Sequence, residues 1–312
     1  MTKMINKQLT NSIIDLLISL ILVVYLSSLP IDLSQDLGSY VMNLENNALI
    51  FDVTKSFWYT VILFPIHLIT TNAENTILVM KMGILLSFYY AYSRKQNIGE
   101  KILIGGLLIL LPTISENYEE FLRQGTALVF AIIGFYSRNK YMRIGFFILA
   151  LAFHPIVILP ILFYHLPIFL LKKDKVDEGI FIRLRLSFWI QLMFLYASII
   201  ICLLIIVFRE ELIIEIEYFE GKRENIFAAT YLITYSIYLN VVSNKQRKIL
   251  HISSNLMILA ILACYPLITD FGRMISIVTP IHLMAAVSLS NRKFKILDLG
   301  VLSLLSLVLF IL

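Results

Sequence analysis

The chain of 312 residues is too apolar for a protein that is soluble in water: hydrophobic residues make up 59% of it, charged residues 15%, and its mean hydropathy is +0.84. A soluble domain has about 45–50% apolar and about 25% charged residues, so this chain lacks the polar surface to cover itself. The net charge of +5 does not indicate a nucleic-acid partner, because the basic residues stand in short clusters between apolar segments. We therefore predict an all-α integral membrane protein in which residues 1–312 form a single transmembrane domain.

Apolar runs that can cross or half-cross a hydrocarbon core of about 30 Å follow one another along the chain. We predict about eleven transmembrane helices: 12–30, 77–93, 102–115, 122–137, 143–154, 156–171, 186–208, 226–243, 249–268, 273–290 and 296–312. The stretch 143–171 is divided at Pro155 because basic residues flank both ends of a run that is too long for one upright helix. Cys202 and Cys264 lie inside two of the runs, which excludes a disulfide framework and a thiolate zinc site.

The segment 57–71 is also apolar, but a full crossing there would reverse the side of every later loop. We predict that it is re-entrant or interfacial and that Pro65 breaks it. Every basic cluster then falls on one side, which is the cytoplasm, together with the N-terminus. The loops 30–56, 116–123 and 209–225 are predicted to be extracytoplasmic.

Charged residues in the membrane need a partner, water or a use, and most of them fall at the outer ends of the predicted spans. Arg123 opens one span, with Glu119 four residues earlier on the same helical face. One interpretation is a salt bridge at a helix end. The other is a guanidinium that binds phosphate through its planar fork, with Gly125 permitting close backbone approach.

Two further residues at span ends allow both a structural and a functional interpretation. His154 precedes Pro155, which leaves a backbone carbonyl to be satisfied, so His154 is either bonded to that backbone or serves as a base or phosphate ligand in a watered cavity. Arg273 follows Asp270 by three residues. The pair is either a capped helix start or the source of a second cation for a diphosphate.

The first outer loop holds Asp32 and Asp36, with Tyr40 four residues after Asp36. These side chains are either solvated or supply an acid or base, a cation ligand or hydrogen bonds to a sugar. Lys81, inside the span 77–93, is expected to snorkel. No Walker-type phosphate loop, dinucleotide-binding glycine loop or DxD pair is present, which weighs against nucleotide-driven transport and cytoplasmic nucleotide-sugar transfer.

These segments resemble the Wzy-type polysaccharide polymerases of the EpsG-like group, which join lipid-linked oligosaccharide repeats. The stronger part of the resemblance is Arg123-Gln124-Gly125-Thr126-Ala127 at the start of one span and Leu151-Ala152-Phe153-His154 at the end of the next. Asp36-Leu37-Gly38-Ser39-Tyr40 and the late Arg273 are similar to the family too. The chain departs from it at Leu37, where an aromatic residue is frequent, and at Gly125, where a bulkier residue is common.

The resemblance implies a transfer on the outer face of a bacterial inner membrane, in the biosynthesis of O-antigen, capsule or exopolysaccharide. The growing glycan leaves its undecaprenyl diphosphate carrier and joins a hydroxyl group of the next lipid-linked repeat. A membrane protein that regulates chain length is the expected protein partner. Breakage of the phosphate-activated bond supplies the energy, so we expect no cofactor and no metal ion.

We predict that Arg123 and Arg273 hold the donor diphosphate and that His154 deprotonates or orients the acceptor hydroxyl, with Asp36 as the rival base. The remaining predicted substrate-binding residues are Gln124, Tyr40, Asp32 and Glu119.

Two other functions remain open at this point. A transferase that attaches one sugar from a polyprenyl-phosphate donor would need a divalent cation, with Asp32 or Asp36 essential. A transporter of lipid-linked oligosaccharides would need polar residues along both halves of its path, whereas the inner halves of the spans show few beyond Asp15 and His251.

Overall fold

The fold is known from a computed structural model, in which residues 2–29, 35–45, 53–110, 117–118, 121–162, 232–236, 238, 254, 257–258, 261, 271–289 and 292–311 are described. All regular secondary structure in these residues is helical, which confirms the all-α prediction. The chain divides into two compact units, Met1–Ile158 and Leu159–Leu312. That the whole chain forms one transmembrane domain stays a prediction.

Eight helices of the first unit are α1 (Thr2–Ser28), α2 (Gln35–Glu45), α3 (Val53–Trp58), α4 (Phe64–Thr70), α5 (Ala73–Ser93), α6 (Ile98–Leu110), α7 (Leu122–Tyr136) and α8 (Lys140–Phe153). In the second unit the structure describes α9 (Phe271–Val287) and α10 (Arg292–Ile311). Seven of these helices, α1 and α5 to α10, overlap predicted spans. The predicted span 186–208 and the predicted loop 209–225 lie outside the described residues, and 156–171, 226–243 and 249–268 lie largely outside them.

Two helices in the described part of the chain are long and apolar enough to cross a membrane, Leu9–Ser28 and Ala73–Ser93. Three other apolar helical stretches are shorter, Ser56–Thr70, Leu122–Tyr136 and Ser276–Val287. The 15 residues of α7 extend over about 22 Å at 1.5 Å per residue, less than the core thickness of about 30 Å. The count of eleven crossings therefore stays a prediction.

Asparagine side chains begin three of the helices, each at the position where backbone N–H groups have no partner within the helix. Asn72 Oδ1 accepts the Asn75 N–H at 3.1 Å before α5, and Asn139 Oδ1 accepts the Tyr141 N–H at 2.9 Å before α8. Before α6, Asn97 and Glu100 cap each other's backbone N–H in a reciprocal pair. The short turns 94–97 and 137–139 then fold α5 on α6 and α7 on α8 as antiparallel pairs.

Pro65 does not break the apolar segment 57–71, contrary to the prediction. The helix runs from α3 into α4 through a π-helical turn at Tyr59–Leu63, and Pro65 lies in the first turn of α4. Because proline lacks an N–H and its ring needs room against the preceding turn, the wider π turn accommodates it without ending the helix. The helix ends instead at Thr71, which is left-handed with a φ of 58°. Whether the segment is re-entrant or interfacial stays a prediction.

The predicted division at Pro155 is confirmed. Helix α8 ends at Phe153, and His154 has extended backbone with φ −151° and ψ 110°. A single 3₁₀ turn follows over Pro155–Val157, and residues 158–162 are helical again. Proline drives the residue before it out of the helical region, so the break falls at His154.

A polar cluster ties α1 to the turn between α5 and α6. The Lys101 ammonium lies 2.6 Å from an Asp15 carboxylate oxygen, and the Tyr89 hydroxyl donates to the other oxygen at 2.9 Å. Lys101 is buried in α6, although its charge is counted with a cytoplasmic loop when the sequence is considered alone. A buried lysine needs a counter-ion, so this pair sets the register of α1 against α5 and α6.

In the second unit, α9 packs against α10 and remains helical through Pro280. His282 is fully buried, with its ring 4.3 Å from that of Tyr235. The Tyr238 hydroxyl donates to the Asp298 carboxylate, which is also buried. Ionisable side chains are therefore packed inside both units.

Candidate functional site

The antiparallel pair α7–α8 brings together the two segments that carry the family resemblance. Arg123 is the second residue of α7, and His154 directly follows α8. The turn at Pro155–Val157 packs against α7, and the Phe130 and Phe153 rings meet edge to face at 5.2 Å. The structure thus places the Arg123 and His154 segments at one end of the same helix pair.

This end of the pair lies deep in the first unit. A Cβ atom on Gly125 would come within 3.2 Å of Ile84 Cγ2, and Ile84 stands near the middle of the 21-residue α5. At the other end of α7, Tyr136 lies close enough to Tyr92 for an electrostatic interaction. Helices α5 and α7 therefore run in the same direction, and α7 begins at about half the depth of α5.

The N-terminus of α7 suits an anion. Phe121 occupies the cap position and its phenyl ring cannot accept a hydrogen bond from the first N–H groups of the helix. The partial positive charge of a helix N-terminus adds to the charge of the Arg123 guanidinium one turn away. Arg123 is half-buried, where the attraction between opposite charges is screened less than in bulk water.

Gln124 is buried and contacts the protein. Its amide nitrogen donates to Asn117 Oδ1 at 3.0 Å, and the neighbouring Tyr118 hydroxyl donates to the Leu108 carbonyl at 2.7 Å. A Cβ atom on Gly125 would overlap the Asn117 carbonyl oxygen. The close backbone approach expected at Gly125 is thus an approach of residue 117, which fixes residues 117–118 over the start of α7. A substrate contact of Gln124 stays a prediction.

Asn117 and Tyr118 are absent from the residues singled out in the sequence. Both are completely buried, although they follow Glu116 in a predicted outer loop. The adjacent glycine at 125 is the one signal in the sequence, because a glycine inside a helix is often a place where another backbone approaches closely. Nothing in the sequence identifies which backbone that is.

Tyr40 belongs to a helix rather than to an open loop. Positions 36 and 40 are four residues apart on α2 and so share a helical face. The Tyr40 ring packs on Trp58 at 5.1 Å, and the Tyr59 hydroxyl donates to the Asn43 carbonyl at 3.3 Å. Phe57 in turn stacks on Phe153 at 5.6 Å, next to His154. Aromatic contacts therefore connect α2 to the break that follows α8.

The structure leaves four of the predicted site residues untested. Asp32 and Glu119 lie outside the described residues, and for Asp36 in α2 and Arg273 in α9 only the backbone is described. Arg273 belongs to the second unit, so a site shared by Arg123 and Arg273 stays a prediction. Among the described residues, no three His, Cys, Asp or Glu side chains gather closely enough to hold a metal ion.

Two further polar groups are buried in the first unit. Lys81 does not snorkel, since it is only 7% exposed in the middle of α5. Trp58 is fully buried, and its indole N–H has no hydrogen-bond acceptor among the residues that the structure describes. Tryptophan N–H groups in protein interiors usually have a partner, so this donor is available to a ligand.

Comparisons of the chain with protein-family models, with curated proteins and with solved structures give no match.

Proposed function

We propose that this protein is a polysaccharide polymerase of the membrane, a glycosyltransferase that joins lipid-linked oligosaccharide repeats. An acceptor hydroxyl oxygen attacks the anomeric carbon at the reducing end of the growing glycan. The bond between that carbon and the diphosphate oxygen breaks, and undecaprenyl diphosphate leaves. The hydroxyl proton passes to a base on the protein.

The observation that carries the proposal is the position of Arg123 beside the break at His154. An arginine at the N-terminus of a short helix, at half the depth of a helix that can cross a membrane, suits a diphosphate attached to a polyprenyl tail. As the glycosidic bond breaks, negative charge grows on the leaving diphosphate. A cation already in place lowers the energy of that developing charge.

His154 is the proposed base. It is half-buried and stands in extended backbone between α8 and the 3₁₀ turn, beside the first turns of α7. An imidazole titrates near neutral pH, which suits removal of a proton from a hydroxyl group. Asp36 is the rival base, since the aromatic contacts of α2 reach the same break.

Within this proposal the protein is a multi-pass protein of a bacterial inner membrane with a cytoplasmic N-terminus, and its site opens to the outer face. The exposed apolar face of α1, with Leu16, Leu20 and Val24, then contacts lipid. The partners are the two undecaprenyl-diphosphate-linked oligosaccharides and a membrane protein that regulates chain length. The bond energy of the donor drives the transfer, so no cofactor is required.

The experiment that tests the activity uses the purified full-length protein and a synthetic undecaprenyl-diphosphate-linked repeat unit. We expect products of two and more repeats, together with released undecaprenyl diphosphate in equal molar amount to the new glycosidic bonds. An Arg123→Gln variant should give neither product, and a Lys140→Gln variant, changed at the exposed start of α8, should match the unmodified protein. Hydrolysis of the donor without longer products would contradict the proposal.

A lipid-linked oligosaccharide transporter is the second candidate, and one observation favours it. Asp15, Tyr89 and Lys101 form a polar cluster far from the Arg123 end, in the half of α5 where the sequence shows few polar residues. A transport path needs such residues on both halves. Reconstituted vesicles distinguish the two functions, because a transporter moves the lipid-linked repeat across the bilayer without changing its length.

A further inference from the structure

Lys81 is a buried cation in the middle of a helix that can cross a membrane. Its side chain is 7% exposed, whereas Val79 and Tyr90 mark the outward face of α5 with 42% and 65% exposure. A lysine near the end of a span reaches the membrane surface with its long stem, but Lys81 is nine residues into a helix of 21. A buried ammonium group requires a nearby anion.

Lys81 and Arg123 stand at the same depth. The contact of Gly125 with Ile84 sets the register of α7 against α5, and both helices run in the same direction. Lys81 precedes Ile84 by three residues and Arg123 precedes Gly125 by two, so at 1.5 Å per residue their Cα atoms differ in depth by about 1.5 Å. Residues 81 and 84 also share one face of α5.

We propose that Lys81 and Arg123 together bind one diphosphate group, with Lys81 as the second cation of the site. This inference rests on the proposed function, in which the group belongs to a polyprenyl diphosphate. The guanidinium supplies a planar fork for one phosphate, and the ammonium supplies a compact charge for the other. The second cation is then provided within the first unit, where the sequence suggested Arg273.

Neither cation is idle in the protein without substrate, since Lys81 and Arg123 each interact with other residues. Binding of a diphosphate therefore exchanges contacts within the protein for contacts with the ligand. Such an exchange keeps both charges compensated before binding and after product release. It also provides a structural alternative that the test has to separate, in which Lys81 serves only to hold α5 in place.

The test measures binding of geranylgeranyl diphosphate to the full-length protein in detergent, by ligand-induced thermal stabilisation and by the fluorescence of buried Trp58. Geranylgeraniol, which lacks the charge, and inorganic diphosphate, which lacks the tail, are the comparison ligands. Lys81→Met and Arg123→Gln should each weaken binding of the lipid diphosphate by about tenfold or more, because each removes a charge-assisted contact. Lys140→Gln, changed at an exposed lysine, is the matched control and should bind normally.

A Lys81→Met protein that melts at a lower temperature but keeps the full affinity for geranylgeranyl diphosphate would show a structural lysine and overturn the inference. If Lys81→Met alone binds normally while Arg123→Gln loses both binding and polymerisation, the inference fails and the proposed function stands. If both variants lose binding but the protein polymerises nothing, the diphosphate site stands and the proposed function fails. Inorganic diphosphate that binds as tightly as the lipid would overturn the assignment to a lipid carrier.

Discussion

Arg123 combines three properties that seldom occur together: a guanidinium group, the first turn of a helix and a position halfway along its neighbour α5. Each of them favours an anion with several oxygen atoms. Lysine at this position keeps the charge and loses the planar fork.

We therefore predict that Arg123→Lys lowers polymerisation by about 10²-fold, comparable to the loss of one donor that stabilises a developing negative charge. The measurement is the amount of long-chain glycan on a gel after complementation of a strain that lacks the gene. Lys140→Arg, a swap of the same two residue types at the exposed start of α8, is the control and should restore the full ladder. Full activity of Arg123→Lys would mean that charge alone suffices.

Gly125 permits the contact that holds the start of α7 in place. An alanine there would overlap the Asn117 carbonyl oxygen and lie 2.9 Å from the carbonyl carbon. We expect Gly125→Ala to cost about 1–3 kcal/mol through overpacking and to displace residues 117–118. Gly145→Ala on α8, where the new methyl group meets nothing within 4 Å, should leave the melting temperature unchanged or raise it. Equal melting temperatures for both variants would contradict the close approach at residue 125.

At the scale of the helices, the Asp15–Lys101 pair decides how α1 packs. Asp15→Asn leaves the Lys101 ammonium buried without its counter-ion, and since the Asp15 side chain is 40% exposed, water offsets part of the cost. We expect a loss of about 1–3 kcal/mol in stability, measured by thermal unfolding in detergent. The exchanged pair Asp15→Lys with Lys101→Asp should recover part of it, and the absence of any recovery would show that the two charges do not interact.

How far the sequence predicts this architecture depends on whether the information is local. The pairing of Arg123 with His154 follows from sequence because a short turn, 137–139, forces α7 and α8 to be antiparallel neighbours. The break at His154 follows from Pro155. The depth of Arg123 does not follow, because it depends on which residue of α5 meets Gly125.

The errors have the same origin. Pro65 is a helix breaker by its own chemistry, but the π turn before it is a property of the whole segment from α3 to α4. Lys81 and Lys101 look like surface lysines at the level of composition, and only their packing shows that they are buried. The helix α2 lies in a segment that carries no long apolar run, so hydropathy assigned it to a loop.

At the scale of the whole molecule, the orientation in the membrane is open to a direct test. The turns 94–97 and 137–139 lie at the same end of the first unit, as the contact of Tyr92 with Tyr136 shows, and both carry exposed basic residues. We predict that Lys95→Cys and Arg138→Cys, in a protein without Cys202 and Cys264, react with an impermeant maleimide only after the cells are permeabilised. Labelling of one position and not the other in intact cells would contradict the parallel arrangement of α5 and α7.

The central claim, that the protein polymerises lipid-linked repeats, is tested most directly by a gel of surface glycan from the native bacterium with and without this gene. We predict that the ladder collapses to the core with a single repeat, because synthesis, export and ligation of one unit do not need the polymerase. Loss of even that single repeat would contradict the claim and indicate an earlier transferase or an exporter. An unchanged ladder would contradict it as well.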